Sequence, residues 1–118
     1  MNVIKGTLHK SGGRAWVDAE GAEWPVGPAT QGREGQAVHY GVRPTDVAIS
    51  STGQGIPAKV IVVEPTGAET ELLVEIGGSR LVLVIHGRTD ANPDDIIHLD
   101  IEASKAHLFD QGSGQRID

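Results

Sequence analysis

The chain has no cysteine, and in 118 residues only two tryptophans, one tyrosine, one phenylalanine and one methionine. Without cysteine there is no disulfide framework, no thiolate zinc site and no thiol nucleophile, which fits a reducing compartment. So few aromatic side chains leave Val, Ile, Leu and Ala to build the core, a composition that suits strands. They also leave too few rings to stack the bases of a single-stranded nucleic acid. Cations are scarce as well: 10 Lys and Arg against 16 Asp and Glu give a formal net charge of -6. Such a surface repels phosphate backbones and anionic lipid, so no nucleic-acid partner is expected. The longest aliphatic run is Leu81 to Ile85, far short of a membrane span, and the first residues have no basic-then-apolar leader pattern. A soluble, unprocessed chain is expected.

What is abundant is glycine. Sixteen glycines and six prolines disfavour long helices, because Gly loses most backbone entropy there and Pro lacks the donor. Alternation is the dominant periodicity. Thr70, Leu72, Val74 and Ile76 point one way and Glu69, Glu71, Leu73 and Glu75 the other, as in a half-buried strand. Gly77-Gly78-Ser79 then turns the chain into a return strand, Arg80 to His86, predicting a β-hairpin. Further strands are expected over Ile56 to Glu64, ended by Pro65-Thr66-Gly67, and around Ile97, Leu99 and Ile101, with Asp90 to Asp95 as a polar turn. In the first half they are expected over Val3 to Leu8, Arg14 to Ala19, Glu23 to Val26, Gln36 to Arg43 and Val47 to Ile49. Helix is limited to single turns, near Pro44-Thr45 or Ala103-Ser104.

The second half echoes the first. Gln36 to Ser50 lines up without gaps on Asp95 to Phe109 at an offset of 59, with His39 on His98, Val42 on Ile101 and Ile49 on Leu108. Either two similar strands align by chance or the chain is duplicated. The second case predicts an all-β fold of OB-like barrels, two intertwined pseudo-repeated lobes near 1–54 and 55–118.

Three stretches resemble one family. Gly41-Val42-Arg43-Pro44-Thr45-Asp46 resembles the Gly-x-Arg-Pro-Glu segment of the accessory domain in carbohydrate-importer ATPases of the maltose, trehalose and glycerol-phosphate type. Val62-Val63-Glu64-Pro65-Thr66-Gly67-Ala68-Glu69-Thr70 resembles its Val-Glu-x-x-Gly-x-Glu-Thr segment, and His107-Leu108-Phe109-Asp110 with Gly114-Gln115-Arg116-Ile117 its closing motifs. Met1-Asn2 resembles the start of that domain just after the ATPase. The departures are Thr45-Asp46 in place of the Glu that follows Pro, and Pro65 where the family varies. The resemblance implies a transport-associated OB-like regulatory domain, spanning residues 1–118, of an ABC importer's ATP-binding subunit. It implies a homodimer, contact with the ATPase domain of the same chain, an indirect link to a membrane permease, a cytosolic regulator, and a cytoplasmic location peripheral to the inner membrane. ATP and Mg would bind the ATPase domain that lies outside this chain. No lysine here sits in a Gly-x-x-x-x-Gly-Lys-Ser/Thr pattern, so no catalysis and no cofactor are expected of the chain itself.

Four residues stand out as interface or regulatory candidates. Arg43 precedes a rigid Pro44 and is either a docking ion pair or a surface Arg. Glu64 and Glu69 bracket a Pro-Thr-Gly turn and either face a partner subunit or are merely solvated. Phe109 is either core or a contact with a second copy. Trp16 and Trp24 flank the Glu20-Gly21 turn, close enough in register to stack across a hairpin; exposed together they would form a sugar platform, but packing on the buried hairpin face is expected. The five histidines lack metal-ligand spacing, so no metal site is expected. Asp90 to Asp94 mimics a calcium loop, but Asp95 and Ile101 stand where Gly and Glu are needed. The alternative function is a small-ligand module for an oxyanion or a sugar, with Ser79-Arg80 or Arg88-Thr89 among its donors.

Overall fold

The computed structural model describes residues 1–28 and 30–118. These form strands β1 (Asn2–Ser11), β2 (Arg14–Ala19), β3 (Ala22–Pro25), β4 (Ala37–Val42), β5 (Val47–Ile49), β6 (Ile56–Thr66), β7 (Glu69–Ile76), β8 (Ser79–His86), β9 (Ile96–Ile101) and β10 (His107–Asp110). Two single turns of 3-10 helix, η1 (Pro44–Asp46) and η2 (Ala103–Lys105), complete the described elements. Among the described residues no helix is long and apolar enough to cross a membrane.

The chain divides into two compact units. One comprises Met1–Val42 with Ile101–Asp118, the other Arg43–Asp100. The first holds a five-stranded sheet in the order β10-β4-β1-β2-β3, the second one in the order β5-β9-β6-β7-β8. In each sheet three hairpin-linked strands are followed by a fourth that returns beside the first, a Greek-key order. Shifting β4 and η1 by 59 residues reproduces the bounds of β9 and η2. The repeat is therefore one of architecture: an all-β fold of two intertwined, pseudo-repeated OB-like lobes.

The fifth strand of each sheet comes from the other half of the sequence. β5 follows β4 in the chain but lies beside β9, and β10 follows β9 but lies beside β4. The compact units thus do not coincide with residues 1–54 and 55–118. The exchange covers the free edge that β4 and β9 would otherwise present, and an uncovered edge invites unwanted pairing.

Alternation decides what is buried. On β7, Thr70, Leu72, Val74 and Ile76 are buried while Glu69 and Glu71 are exposed. The hairpin to β8 follows in strict register, from Ile76 opposite Ser79 to Glu69 opposite His86. In the first unit Leu8, Val17, Trp24, Val38, Tyr40 and Leu108 are wholly enclosed; in the second Val60, Leu72, Val74 and Leu83 are. Each such side chain contributes about 1.5–3 kcal/mol by leaving water. The β6–β7 register shifts between Val60 and Val62. This bulge turns Val62 outward, 45 % exposed, and re-aims the rest of the strand.

Two expectations are corrected. Strand β6 does not stop before Pro65 but runs through it to Thr66. Beyond Lys59 its register with β9 has ended and β7 alone continues as its neighbour, and at such an edge a proline removes no second ladder bond. Trp16 and Trp24 do not stack. The β2–β3 register sets Val17 opposite Trp24 and Trp16 opposite Pro25, so adjacent residues of one strand send Trp16 and Val17 to opposite faces.

Candidate functional site

A five-stranded sheet that curls without fully closing leaves a cleft between its first and last strands. In the second unit this cleft has a volume of about 420 Å3 and lies between η1–β5 and the end of β8. Val47, Ile49, Val84 and Ile85 give it an apolar lining, and Thr45, His86, Arg88 and Thr89 supply the polar groups. Among the described residues the side chains of Thr45, His86 and Arg88 enter no hydrogen bond or ion pair, while Thr89 Oγ1 accepts the Ala91 amide at 3.2 Å. Thr70 holds the Arg88–Thr89 segment in place. Buried to 1 % exposure, it donates its hydroxyl to the Gly87 carbonyl at 2.7 Å, and the Gly87 amide donates to Ala68 O at 2.7 Å.

The corresponding cleft of the first unit is smaller, and its Thr30 and Asp118 side chains are already bonded. It measures about 170 Å3, lined by Val26, Gly27, Thr30, Ser104, Leu108 and Asp118 among others. At the offset of 59, Thr30 corresponds to Thr89, Ser104 to Thr45, Gly27 to His86 and Ala29 to Arg88. Thr30 donates to Ile117 O at 2.8 Å. Asp118 is held by Arg116 Nε at 2.7 Å and by the Leu108 amide at 3.3 Å; these bonds, the Arg116 bond foremost, keep its carboxyl below the ordinary range.

The first unit also carries a dense polar cluster outside its cleft. His9 Nδ1 lies 2.8 Å from Glu34 Oε1 and His9 Nε2 lies 3.0 Å from Asp18 Oδ2. Glu34 Oε2 accepts the Lys10 amide at 2.7 Å, while Lys10 Nζ donates to Thr30 O and Gly32 O, both at 3.0 Å. The hydrogen bond to Glu34 raises the His9 imidazole above its usual range, and that bond lowers the Glu34 carboxyl. The His9 ring stacks on Trp16 at 5.6 Å, and the Arg14 guanidinium sits 4.5 Å from the Trp16 ring centre. Trp16 is thus occupied by its own neighbours. In the closing motif, Asp110 accepts from Gln36 Nε2 at 2.9 Å and from the amide and hydroxyl of Ser113 at 2.8 and 3.0 Å. The Gln36 bond leads in pulling its carboxyl down to about 2.

The residues singled out from sequence are dispersed. Arg43 is exposed at the start of η1 and forms no ion pair among the described residues. Glu64 and Glu69 are exposed on β6 and β7; Glu64 faces Glu71 across the ladder, a like-charge pair that does not stabilise the sheet. Phe109 is half-buried on β10, opposite His39, and bridges Arg116. His39 and His98 hold corresponding places on β4 and β9. Among the described residues no three His, Asp or Glu side chains converge on a metal position. Of the cleft donors, the sequence alone points to Arg88-Thr89 for an oxyanion; it does not point to His86 or Thr45, because the strand and 3-10 turn patterns account for both.

A duplicated Greek-key sheet with exchanged closing strands defines a class of all-β, OB-like modules, and comparison with known proteins narrows it. Residues 40–109 match the family model of the TOBE domain and residues 1–47 that of the MalK OB fold domain. The chain belongs to the TOBE domain family. It is 41 % identical to the uncharacterized ABC transporter ATP-binding protein y4oS of Sinorhizobium fredii, over 99 % of this chain and 31 % of that protein. With the sn-glycerol-3-phosphate import ATP-binding protein UgpC of Salmonella paratyphi A the identity is 29 %, over 99 % of this chain and 33 % of that protein. The chain spans about a third of the length of these relatives. In fold it is similar to the cytoplasmic molybdate-binding protein ModG, with a TM-score of 0.70, 20 % identity, and coverage of 91 % of this chain and 94 % of that one.

Proposed function

We propose that this chain is the regulatory and dimerisation domain at the C-terminal end of the ATP-binding subunit of a sugar or polyol ABC importer, without catalysis of its own. The observation that supports this most directly is the match of 99 % of the chain to about a third of two ABC ATP-binding proteins. The remaining two thirds of such a subunit is room for an ATPase domain that binds ATP and Mg. The work of this domain is positional. Paired copies hold two subunits together while the ATPase domains open and close beneath a permease on the cytoplasmic side of the membrane. A cytosolic regulator that prefers one arrangement shifts the balance by its differential affinity.

The outward face of β6 and β7 suits an interface. Glu64, Glu69 and Glu71 are all exposed there and form no ion pair among the described residues, beside Val62 opposite Leu73. An unbalanced acidic group bordering an apolar row fits a partner with basic side chains. Arg43 and Phe109 are the other proposed contact residues. The test uses the full-length subunit. Removal of the segment corresponding to residues 1–118 is expected to abolish nucleotide-free dimers in analytical ultracentrifugation while leaving ATP binding intact, and Glu64→Lys with Glu69→Lys is expected to weaken a regulator's effect on transport. A truncated subunit that dimerises and responds as before overturns the reading.

A further inference from the structure

We propose that the cleft of the second unit is a binding site for a small organic phosphate monoester, with Arg88, His86, Thr45 and Thr89 as its hydrogen-bond donors. The proposal goes beyond dimerisation and does not depend on it. The four residues come from three places in the chain: η1, the last residue of β8, and the turn that follows. They meet because the sheet curls until its edge strands approach. Several cations of the chain are held by carboxylates, as Arg14 is by Glu23 at 2.7 Å and Arg116 by Asp118 at 2.7 Å. The donors of Thr45, His86 and Arg88 have no such partner among the described residues, yet they border one cleft. The hydroxyl of buried Thr70 fixes the backbone from which Arg88 and Thr89 project, so this part of the rim is preorganised.

The donor set selects the ligand class. A planar guanidinium fork offers paired N–H groups matched to phosphate or carboxylate oxygens. With one imidazole N–H and two hydroxyls added, the donors outnumber what the two oxygens of a carboxylate need and suit the three terminal oxygens of a phosphoryl group. The apolar lining of Val47, Ile49, Val84 and Ile85 has no use for a bare hydrated ion but accommodates a short carbon body. Carboxylates temper the charge. Glu69 stands across the ladder from His86, and Asp46 and Asp90 follow Thr45 and Thr89 in the chain. The anion is therefore held by directed bonds rather than by a broad positive field, and its binding should survive moderate salt.

The first unit supplies a control within the same molecule. There Gly27 and Ala29 take the positions of His86 and Arg88 in sequence, and Asp118 places a carboxylate in the cleft. The same strand plan thus offers an anion site in one unit and repels anions in the other.

The test is an amide NMR titration of the 118-residue chain with glycerol phosphate, inorganic phosphate, acetate and glycerol. Saturable shifts are expected with glycerol phosphate at residues 45–49 and 84–89 and none at Thr30 or Ser104, with inorganic phosphate weaker and glycerol silent. Arg88→Ala, at an exposed position, should leave the remaining spectrum unchanged and weaken binding by about ten-fold or more, the loss of a charged hydrogen-bond donor. His86→Ala should weaken it less. Absence of saturable shifts near Arg88, equal binding by Arg88→Ala, or acetate binding as tightly as glycerol phosphate each overturns the proposal.

Discussion

The two units are built on the same strand order but spend their polar side chains differently. In the first, Thr30, Asp118, His9, Glu34 and Asp110 bond to one another or to nearby backbone and tie the 30–36 segment to β1 and to the C-terminal residues. In the second, the side chains of Thr45, His86 and Arg88 border an open cleft and, among the described residues, enter no bond, while buried Thr70 is committed inward. A duplicated scaffold thus separates two tasks that compete within one site: a polar group that stabilises its own fold is no longer available to a ligand.

The largest expected effect tests the first unit's core against its surface. Trp24 is fully enclosed, donates its indole N–H to Ala19 O at 3.0 Å and packs on Tyr40 at 5.4 Å. Trp24→Ala should cost about 3–5 kcal/mol, whereas Trp16→Ala, on the half-exposed face, should cost much less. Chemical denaturation of both variants measures the contrast, and equal losses would refute the two-faced reading of the hairpin.

Next comes the pinning bond of the second unit. Thr70→Val keeps the shape but strands the Gly87 carbonyl, at a cost of about 1–3 kcal/mol. Hydrogen exchange at Gly87 to Thr89 should rise while the 30–36 segment is unaffected. Protection that is unchanged in the second unit would show that Thr70 is not its anchor.

A pH series separates the units further. His9 is raised in the folded state, so its contribution is full below the ordinary imidazole value of about 6.5 and is lost as pH rises through the higher folded value. Asp110 is depressed to about 2; its contribution is present above the ordinary carboxylate value and is lost as pH falls through the folded one. Thermal unfolding should show a stability decline as pH rises beyond the ordinary imidazole value, which His9→Gln removes, and an acid decline that Asp110→Asn reduces. A pH profile left unaltered by His9→Gln would exclude the imidazole as its source. The smallest effect is expected at Arg43, exposed and without an ion pair: Arg43→Ala should stay within about 0.5 kcal/mol of the parent in thermal unfolding. A larger loss would mean that Arg43 holds a structural contact.

Much of this was readable from short-range pattern. The buried set of β7 follows from its period of two, η1 follows from Pro44, and the match of Gln36–Ser50 to Asp95–Phe109 foretold that β4 and η1 recur as β9 and η2. The end of β6 is not legible in the sequence, because Pro65 reads as a stop and nothing local shows that the strand has lost one of its neighbours there. The placing of Trp16 and Trp24 is not legible either, because alternation says that neighbours in sequence diverge but not which cross-strand partner each meets.

By itself the sequence determined the strand content, the restriction of helix to single turns and the acidic charge, since each depends on composition or on periods of a few residues; the duplication it offered only as one of two readings. The tertiary structure alone decided that β5 and β10 change places and that Thr45 meets His86, Arg88 and Thr89 in one cleft, while the first unit's cleft is smaller and holds the bonded Thr30 and Asp118. Those meetings join residues some 40 positions apart. Strand pairing and sheet curvature set them, and no local pattern of side chains encodes either.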